Sequence, residues 1–350
     1  MKITITNGDT YVEYEPLHGE RILYSGLRNR LDLSYECATG TCGTCVAKRV
    51  SGTAEWLWTN APNKKMLESN DQILMCQCVA RSDLTLKINQ KAIGTKSHDS
   101  TPNPNWFVGK VTRSEEIAPD VKSLTIQLPS PIKFLAGQFA VLEFSEIPGF
   151  RAWSMTNYEL ETTSLDFVIK RKPGGKLSEI LFESKDLSSK IINVFGPLGK
   201  AYYETHNPYD LICIAGGTGV AGMLSILKSF AANNEKLSKN AQLFFGVRKN
   251  QDLFFGNELH NLVAQGKGSI NVSIAISDDE INRNLKEEFP LLSFEKGLVH
   301  EVALQKLKTD ELSSSVAYLA GPSPLVNACI KMFLLEFKFQ SNRIFFDKFS

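Results

Sequence analysis

Four cysteines constrain this chain more than any other feature. Cys37, Cys42 and Cys45 stand in ECATGTCGTC with C-x4-C-x2-C spacing, and Cys76 or Cys78 in ILMCQC follows at a distance. A loop that gathers three thiols so closely must turn sharply, and Gly40 and Gly43 supply backbone free to do so and to aim N–H groups at the sulfurs. Four thiolates suit a soft metal, which leaves zinc or an iron–sulfur cluster. Zinc sites usually pair their ligands as two C-x2-C halves, and only one such half is present, so the spacing favours a [2Fe-2S] cluster. Disulfides fit poorly. Seven cysteines is an odd number, and MKITITNGDT carries no apolar secretory run, so a reducing cytoplasm is the expected setting.

The length of 350 residues predicts two to three domains in all. Charge is balanced, with 39 basic and 38 acidic residues, which gives no reason to expect nucleic acid or a membrane surface as a partner. No apolar run approaches the roughly 18 residues that span a bilayer. Asn7-Gly8 predicts a hairpin, and GERILYSGLRNR a short amphipathic helix with Ile22, Leu23 and Leu27 on one face. Residues 96–105, KSHDSTPNPN, read as a linker between a first domain, 1–95, and a second, 106–205. Short strands at near-regular spacing predict a β-barrel there. RAWSMTN puts Arg151, Trp153 and Ser154 on an extended segment, and KPGGKLS predicts a Gly174-Gly175 turn with a helix starting near Ser178, suited to an anion. In the third domain, 206–350, DLICIAGGTGVAGMLSILKSF is strand, glycine turn and helix, with Gly216, Gly217, Thr218 and Gly219 in the turn. YLAGPSPLVNACI repeats that grammar. The histidines His18, His98, His206, His260 and His300 show no ligand spacing.

These stretches resemble known families in order. The cysteine pattern is similar to plant-type ferredoxins of the β-grasp fold, whose last thiolate follows an apolar strand directly. That selects Cys76 after Ile73 to Met75 and leaves Cys78 as a packed thiol. Arg151-Ala152-Trp153-Ser154 resembles the R-x-Y-S signature of the ferredoxin reductase superfamily. The resemblance implies that Arg151 pairs with the FAD pyrophosphate, the aromatic lies on the flavin and Ser154 bonds near the reactive nitrogen. Trp153 in place of Tyr removes a phenol hydroxyl. Lys170, Gly175, Lys176 and Ser178 match the second flavin-phosphate stretch.

The third domain resembles the parallel α/β NAD domain of the same superfamily, with the GGTG turn, G-V-R before D-L-F-F and a turn at Gly321-Pro322. Arg248 and Lys249 stand where a ribose 2′-phosphate would lie, while the wording favours NADH. Two departures stand out: Ala320 replaces the cysteine common in that last turn, and Gly222 replaces a proline. Phe345, Phe346 and Phe349 end the chain. By the resemblance Phe349 covers the flavin face, against a plain reading in which the aromatics plug the core.

Ferredoxin, flavin barrel and NAD domain in one chain resemble the reductase components of bacterial oxygenases, nearest to those serving diiron toluene or alkene monooxygenases. The implied function passes electrons from NADH through FAD and the cluster to an oxygenase docking beside the Cys37 to Cys45 loop, the chain acting as a monomer. Reductases of Rieske dioxygenases and of iron–sulfur sugar deoxygenases share the plan, as does a sensor that binds NADH without turnover.

Overall fold

The computed structural model describes residues 1–90, 93, 101–145, 147–184, 187–188, 190–233, 239–308 and 312–349, without the side chains of 147, 148 and 349. The expected hairpin forms between β1 (Ile3–Thr6) and β2 (Tyr11–Tyr14). Asn7 closes its turn by accepting the Asp9 and Thr10 N–H groups at 3.0 and 2.9 Å. Helix α1 (Ile22–Arg28) follows, then β3 (Val46–Ser51), β4 (Ala54–Trp56), β5 (Gln72–Leu74), β6 (Cys78–Ala80) and β7 (Leu84–Lys87). The sheet order is β2-β1-β7-β3-β5 with β1 parallel to β7, and β4 and β6 form a separate ribbon. Every α1 residue from Ile22 to Leu27 is buried, more than the one apolar face expected. The sheet covers one side, and the other carries Tyr24 into the next module.

That module is built from β8 (Asn105–Ala118), β9 (Val121–Lys133), β10 (Phe139–Phe144), β11 (Ile147–Ser154), β12 (Glu161–Lys170) and β13 (Ile191–Leu198), with α2 (Lys176–Glu183) after β12. Strand order is β11-β10-β13-β8-β9-β12, and a bridge from Met155 to Phe167 joins the two outer edges. Closure leaves no long edge unpaired and wraps a core around Phe134, Leu142 and Phe167. Of the expected linker, residues 96–100 lie outside the described residues. Thr101 to Pro104 run without regular structure into β8, and Asn103 Nδ2 donates to the Arg28 carbonyl at 2.8 Å.

The last module contains β14 (Asp210–Gly216), α3 (Val220–Asn233), β15 (Ala241–Val247), α4 (Gly256–Gln265), β16 (Ile270–Ile276), α5 (Arg283–Glu288), β17 (Ser293–Lys296), α6 (Val299–Lys306), β18 (Ser315–Pro322), α7 (Ser323–Lys331) and β19 (Ile344–Phe349). Its sheet runs β17-β16-β15-β14-β18-β19, every pair parallel. Strand order reverses between β14 and β18, which is where open α/β sheets leave a crevice at the strands' carboxyl ends.

The first module docks on the barrel through aromatic packing. Tyr24 stacks on Phe195 with centroids 4.8 Å apart, and Trp106 and Phe150 meet Tyr24 at 5.8 and 5.3 Å. Trp106 Nε1 donates to Glu20 Oε1 at 2.7 Å, and the same carboxylate holds Arg28 in a two-point pair. Trp106→Ala is expected to weaken docking by about 3 kcal/mol, the low end for such truncations because the ring is half-buried. Denaturant unfolding followed separately at the cysteine loop and in the barrel should then split into two transitions.

Candidate functional site

The cysteine loop is held in shape by backbone that only special residues adopt. Gly40 and Gly43 have φ of +91° and +82°. A side chain at Gly40 would meet Gln77 Cγ at 2.9 Å, and one at Gly43 would collide with Asn63. Asn63 fastens the loop from outside, its N–H to the Gly40 carbonyl at 3.2 Å and its Nδ2 to the Thr41 carbonyl at 3.3 Å. Within the loop the N–H groups of Thr39, Thr41 and Cys42 all lie 3.4 Å from Cys37 Sγ. Three donors on one sulfur form a cradle for a thiolate. The Cys42 thiol and these N–H groups push Cys37 down to about 4 against the effect of burial, and Cys42 rises in turn.

Cys45 and Cys76 form a second neighbouring pair, the Cys76 thiol being raised by Cys45 and by burial. The four thiols therefore stand as two pairs. Two pairs match the two irons of a [2Fe-2S] cluster, each of which takes two thiolates. Cys78 lies apart in the β4–β6 ribbon opposite Trp56, and burial pushes its thiol up to about 12.

On β11, Arg151 and Trp153 point to one face, while Ser154 is buried with 5% exposure. The Arg151 guanidinium donates to the Phe150 carbonyl at 3.0 Å and lies 6.0 Å from the Trp58 ring of the first module. Burial, then the like charge of Arg21, draws its pKa below the usual value. No carboxylate pairs with this half-buried cation among the described residues. Trp153 meets the Phe144 ring edge-on at 6.2 Å. Helix α3 reaches over from the last module so that a Cβ on Gly222 would stand 3.5 Å from Ser154 Cβ.

The second expected phosphate stretch sits on the β12–α2 turn. Lys170 and Lys176 are exposed and Gly174 has a φ of +70°. The helix begins at Lys176, two residues before the expected start, with Gly175 as its N-cap. Ser178 Oγ accepts the Lys172 N–H at 3.0 Å and faces the Lys172 and Gly175 carbonyls at 2.9 and 2.8 Å. Its hydroxyl thus closes the turn, leaving Gly175 and Lys176 at the open helix end.

The two glycine turns of the last module touch across the reversal of strand order. A Cβ on Gly219 would lie 2.5 Å from the Ala320 carbonyl oxygen, and one on Gly321 would lie 3.1 Å from Gly216 N. Only backbone fits between β14 and β18 here. Gly217 has a φ of +55°, and a Cβ added to it would meet no atom within 4 Å, so it faces open space with Thr218. Pro322 opens α7. Arg248 is exposed just beyond β15, and its carbonyl accepts the Asp278 N–H at 2.8 Å. The end of β19 runs beside β18, pairing Phe349 with Pro322. Its Phe345 stacks on Tyr318 at 5.5 Å, and the expected role of the Phe349 side chain lies outside the described residues.

Asp347 on β19 lies within electrostatic reach of Glu36, the residue before Cys37. Burial, then Glu36, pushes the Asp347 carboxyl up to about 7. A carboxyl raised on folding binds its proton more tightly in the folded state, so its contribution to stability is lost as pH rises from about 4 through 7. Asp347→Asn should therefore gain on the parent protein over that window and hold a constant lead above it, read by thermal unfolding across pH. A cavity of about 280 Å³ opens at the same junction, lined by Tyr35, Gln138, Gly199, Tyr202 and Phe345 and by none of Arg151 to Ser154.

Sequence reasoning missed Arg21, Gln77, Trp58 and Asp347. Nothing in local spacing marks them, because each matters through a contact with another module or with the far end of the cysteine pattern.

Residues 5–81 match the family described as 2Fe-2S iron-sulfur cluster binding domain, 108–203 the oxidoreductase FAD-binding domain and 213–331 the oxidoreductase NAD-binding domain. The chain is 30% identical over 335 residues to the ferredoxin–NAD(+) reductase component of an alkene monooxygenase system from Xanthobacter autotrophicus, covering 94% of this chain and 95% of that one. It is also 30% identical over 334 residues to the ferredoxin–NAD(P)(+) reductase CarAd of Metapseudomonas resinovorans, covering 95% of each. The solved ferredoxin reductase of a carbazole 1,9a-dioxygenase superposes with a TM-score of 0.81 at 28% identity, over 100% of this chain and 99% of that chain. A [2Fe-2S] cluster, FAD and NAD are thus the cofactors of an oxidoreductase, and the chain belongs to the ferredoxin–NAD(P)+ reductase components of multicomponent oxygenases.

Proposed function

We propose that this chain takes electrons from NADH and delivers them to an oxygenase component that docks at the cysteine loop. The observation that carries the reading is the contact between modules: the paired cysteines sit beside an element, α1, that packs directly against the barrel strand bearing Arg151. Cys37, Cys42, Cys45 and Cys76 hold the cluster, with the three N–H groups around Cys37 stabilising its negative charge. Arg151 binds the flavin pyrophosphate, Trp153 borders the ring, Ser154 offers its hydroxyl near the reactive nitrogen, and Lys170, Gly175 and Lys176 serve the second phosphate stretch. Ser178 supports that stretch through the turn it closes. Gly216, Gly217, Thr218, Gly219, Gly321 and Pro322 line the dinucleotide crevice, and Arg248 meets its ribose end. Bound FAD supplies the exchange between a hydride pair and single electrons.

A plant-type cluster near −400 mV passes electrons downhill to either a diiron or a Rieske acceptor, Rieske centres lying at about −150 to +300 mV. Relatives are named for monooxygenase and for dioxygenase systems alike, and the reading of a diiron acceptor rests on the resemblance of the sequence motifs. No helix among the described residues is long and apolar enough to cross a membrane, and the seven cysteines form no disulfide. The test is anaerobic addition of NADH to the holoprotein, followed by a diiron hydroxylase and, separately, a Rieske oxygenase. Bleaching of flavin and cluster followed by reoxidation on adding the hydroxylase is expected. A cluster that stays oxidised would end the reading, and preference for the Rieske protein would move the acceptor assignment.

A further inference from the structure

Arg21 is a buried cation without a carboxylate partner. It is 4% exposed, and no ion pair includes it among the described residues. Neighbouring Glu20 is committed to Arg28 and Trp106. Arg21 Nη1 donates to the Cys76 carbonyl at 2.9 Å and to Gln77 Oε1 at 3.0 Å, while its Nε is buried with no hydrogen-bond partner. The face of the guanidinium lies 4.6 Å from the Phe150 ring, the residue before Arg151. An unpaired buried charge is costly, and structures keep one only where another charge answers it. Its guanidinium is hydrogen-bonded to the Cys76 backbone, so the negative charge of four thiolates and their cluster is the available counterion.

Gln77 makes the link directional. Because its oxygen accepts from Arg21, its amide nitrogen must turn the other way, and Nε2 stands 3.8 Å from Cys76 Sγ. One guanidinium therefore places a charge beside the cluster site and an N–H on a ligand sulfur. Both favour the reduced cluster, which carries one more negative charge than the oxidised one.

We propose that Arg21, acting directly by charge and through Gln77 by hydrogen bonding, is the positioning residue that raises the cluster's potential and draws a single electron from the reduced flavin across the Phe150 seam. The proposal rests on the assignment of Cys76 as a ligand. No bond forms or breaks in the step; the flavin loses the electron that the cluster gains.

The test is an anaerobic potentiometric titration of the holoprotein, read by the paramagnetic signal of the reduced [2Fe-2S] cluster. In Arg21→Met, the ratio of reduced to oxidised cluster at a fixed potential should fall about tenfold, which is ~59 mV more negative for one electron. Gln77→Leu should shift it the same way by less, and Arg21→Lys, with its charge kept, should shift it less than Arg21→Met does. NADH reduction of the flavin should be unchanged in all three. If Arg21→Met assembles no cluster, Arg21→Gln carries the same prediction. An intact signal at an unchanged potential in the neutral variants overturns the proposal, as does an equal shift in Arg21→Lys and Arg21→Met. Cys76→Ser tests the separate ligand assignment, which fails if the parent signal persists unaltered in that variant.

Discussion

Replacing Cys42 with serine should leave a protein whose flavin NADH still reduces but which no longer passes electrons onward. Cys42 sits in the loop where backbone N–H groups converge on Cys37, and its thiol pairs with that residue. Serine offers a harder oxygen that matches soft iron poorly, so the cluster should be lost or strongly altered. Strand β11 lies in the next module; its Phe150 shares a core with the first module, and Cys42 is not part of that core. NADH-driven reduction of ferricyanide, a small acceptor able to oxidise the flavin, should be retained. Reduction of cytochrome c and of an oxygenase should fall to background. If flavin reduction by NADH fails as well, the modular account is wrong.

Gly219→Ala should strike the other end of the path. The new methyl would stand 2.5 Å from the Ala320 carbonyl oxygen and 2.8 Å from Gly321 N, all backbone of the adjacent strand. Neither neighbour is a flexible tip, so β14 and β18 must part where the dinucleotide crevice forms. Overpacking of this kind costs about 1–3 kcal/mol, and a shift near 1 Å in a positioning element lowers turnover about 100-fold. We expect kcat/KM for NADH to fall by about that factor. The same protein reduced with dithionite should still deliver electrons to cytochrome c, since flavin and cluster are untouched. Loss of both activities in a folded protein would contradict a role confined to the nucleotide.

Much of this was legible along the chain because the chemistry is local. Cys37, Cys42 and Cys45 close a loop within one turn of backbone, so their spacing alone speaks of a cluster, and Asn7-Gly8 and the turn at Gly216 to Gly219 are equally self-contained. The pairing of thiols was not legible: Cys76 reaches Cys45 only because β5 lies beside β3, with Val46 opposite Leu74. Charged residues at a helix start read as solvated, so Glu20 and Arg21 gave no sign of lying at an interface; the barrel arrives there from Trp106 and Phe150, far away in sequence. The helix expected near Ser178 begins at Lys176 because Gly175 caps it and Ser178 turns back to bond the Lys172 to Gly175 turn. Burial all round α1 likewise follows from docking, which hydrophobic periodicity within twelve residues cannot register.

The central claim is that flavin and cluster exchange electrons inside one chain, across the seam of Tyr24, Trp106, Phe150 and Phe195. Rapid mixing of the holoprotein with NADH under anaerobic conditions tests it directly, following flavin and cluster absorbance together over a wide range of protein concentrations. Cluster reduction should follow flavin reduction with a first-order rate that does not change with protein concentration. A rate that rises in proportion to concentration would mean that electrons pass between molecules, and the docked arrangement would not be the path.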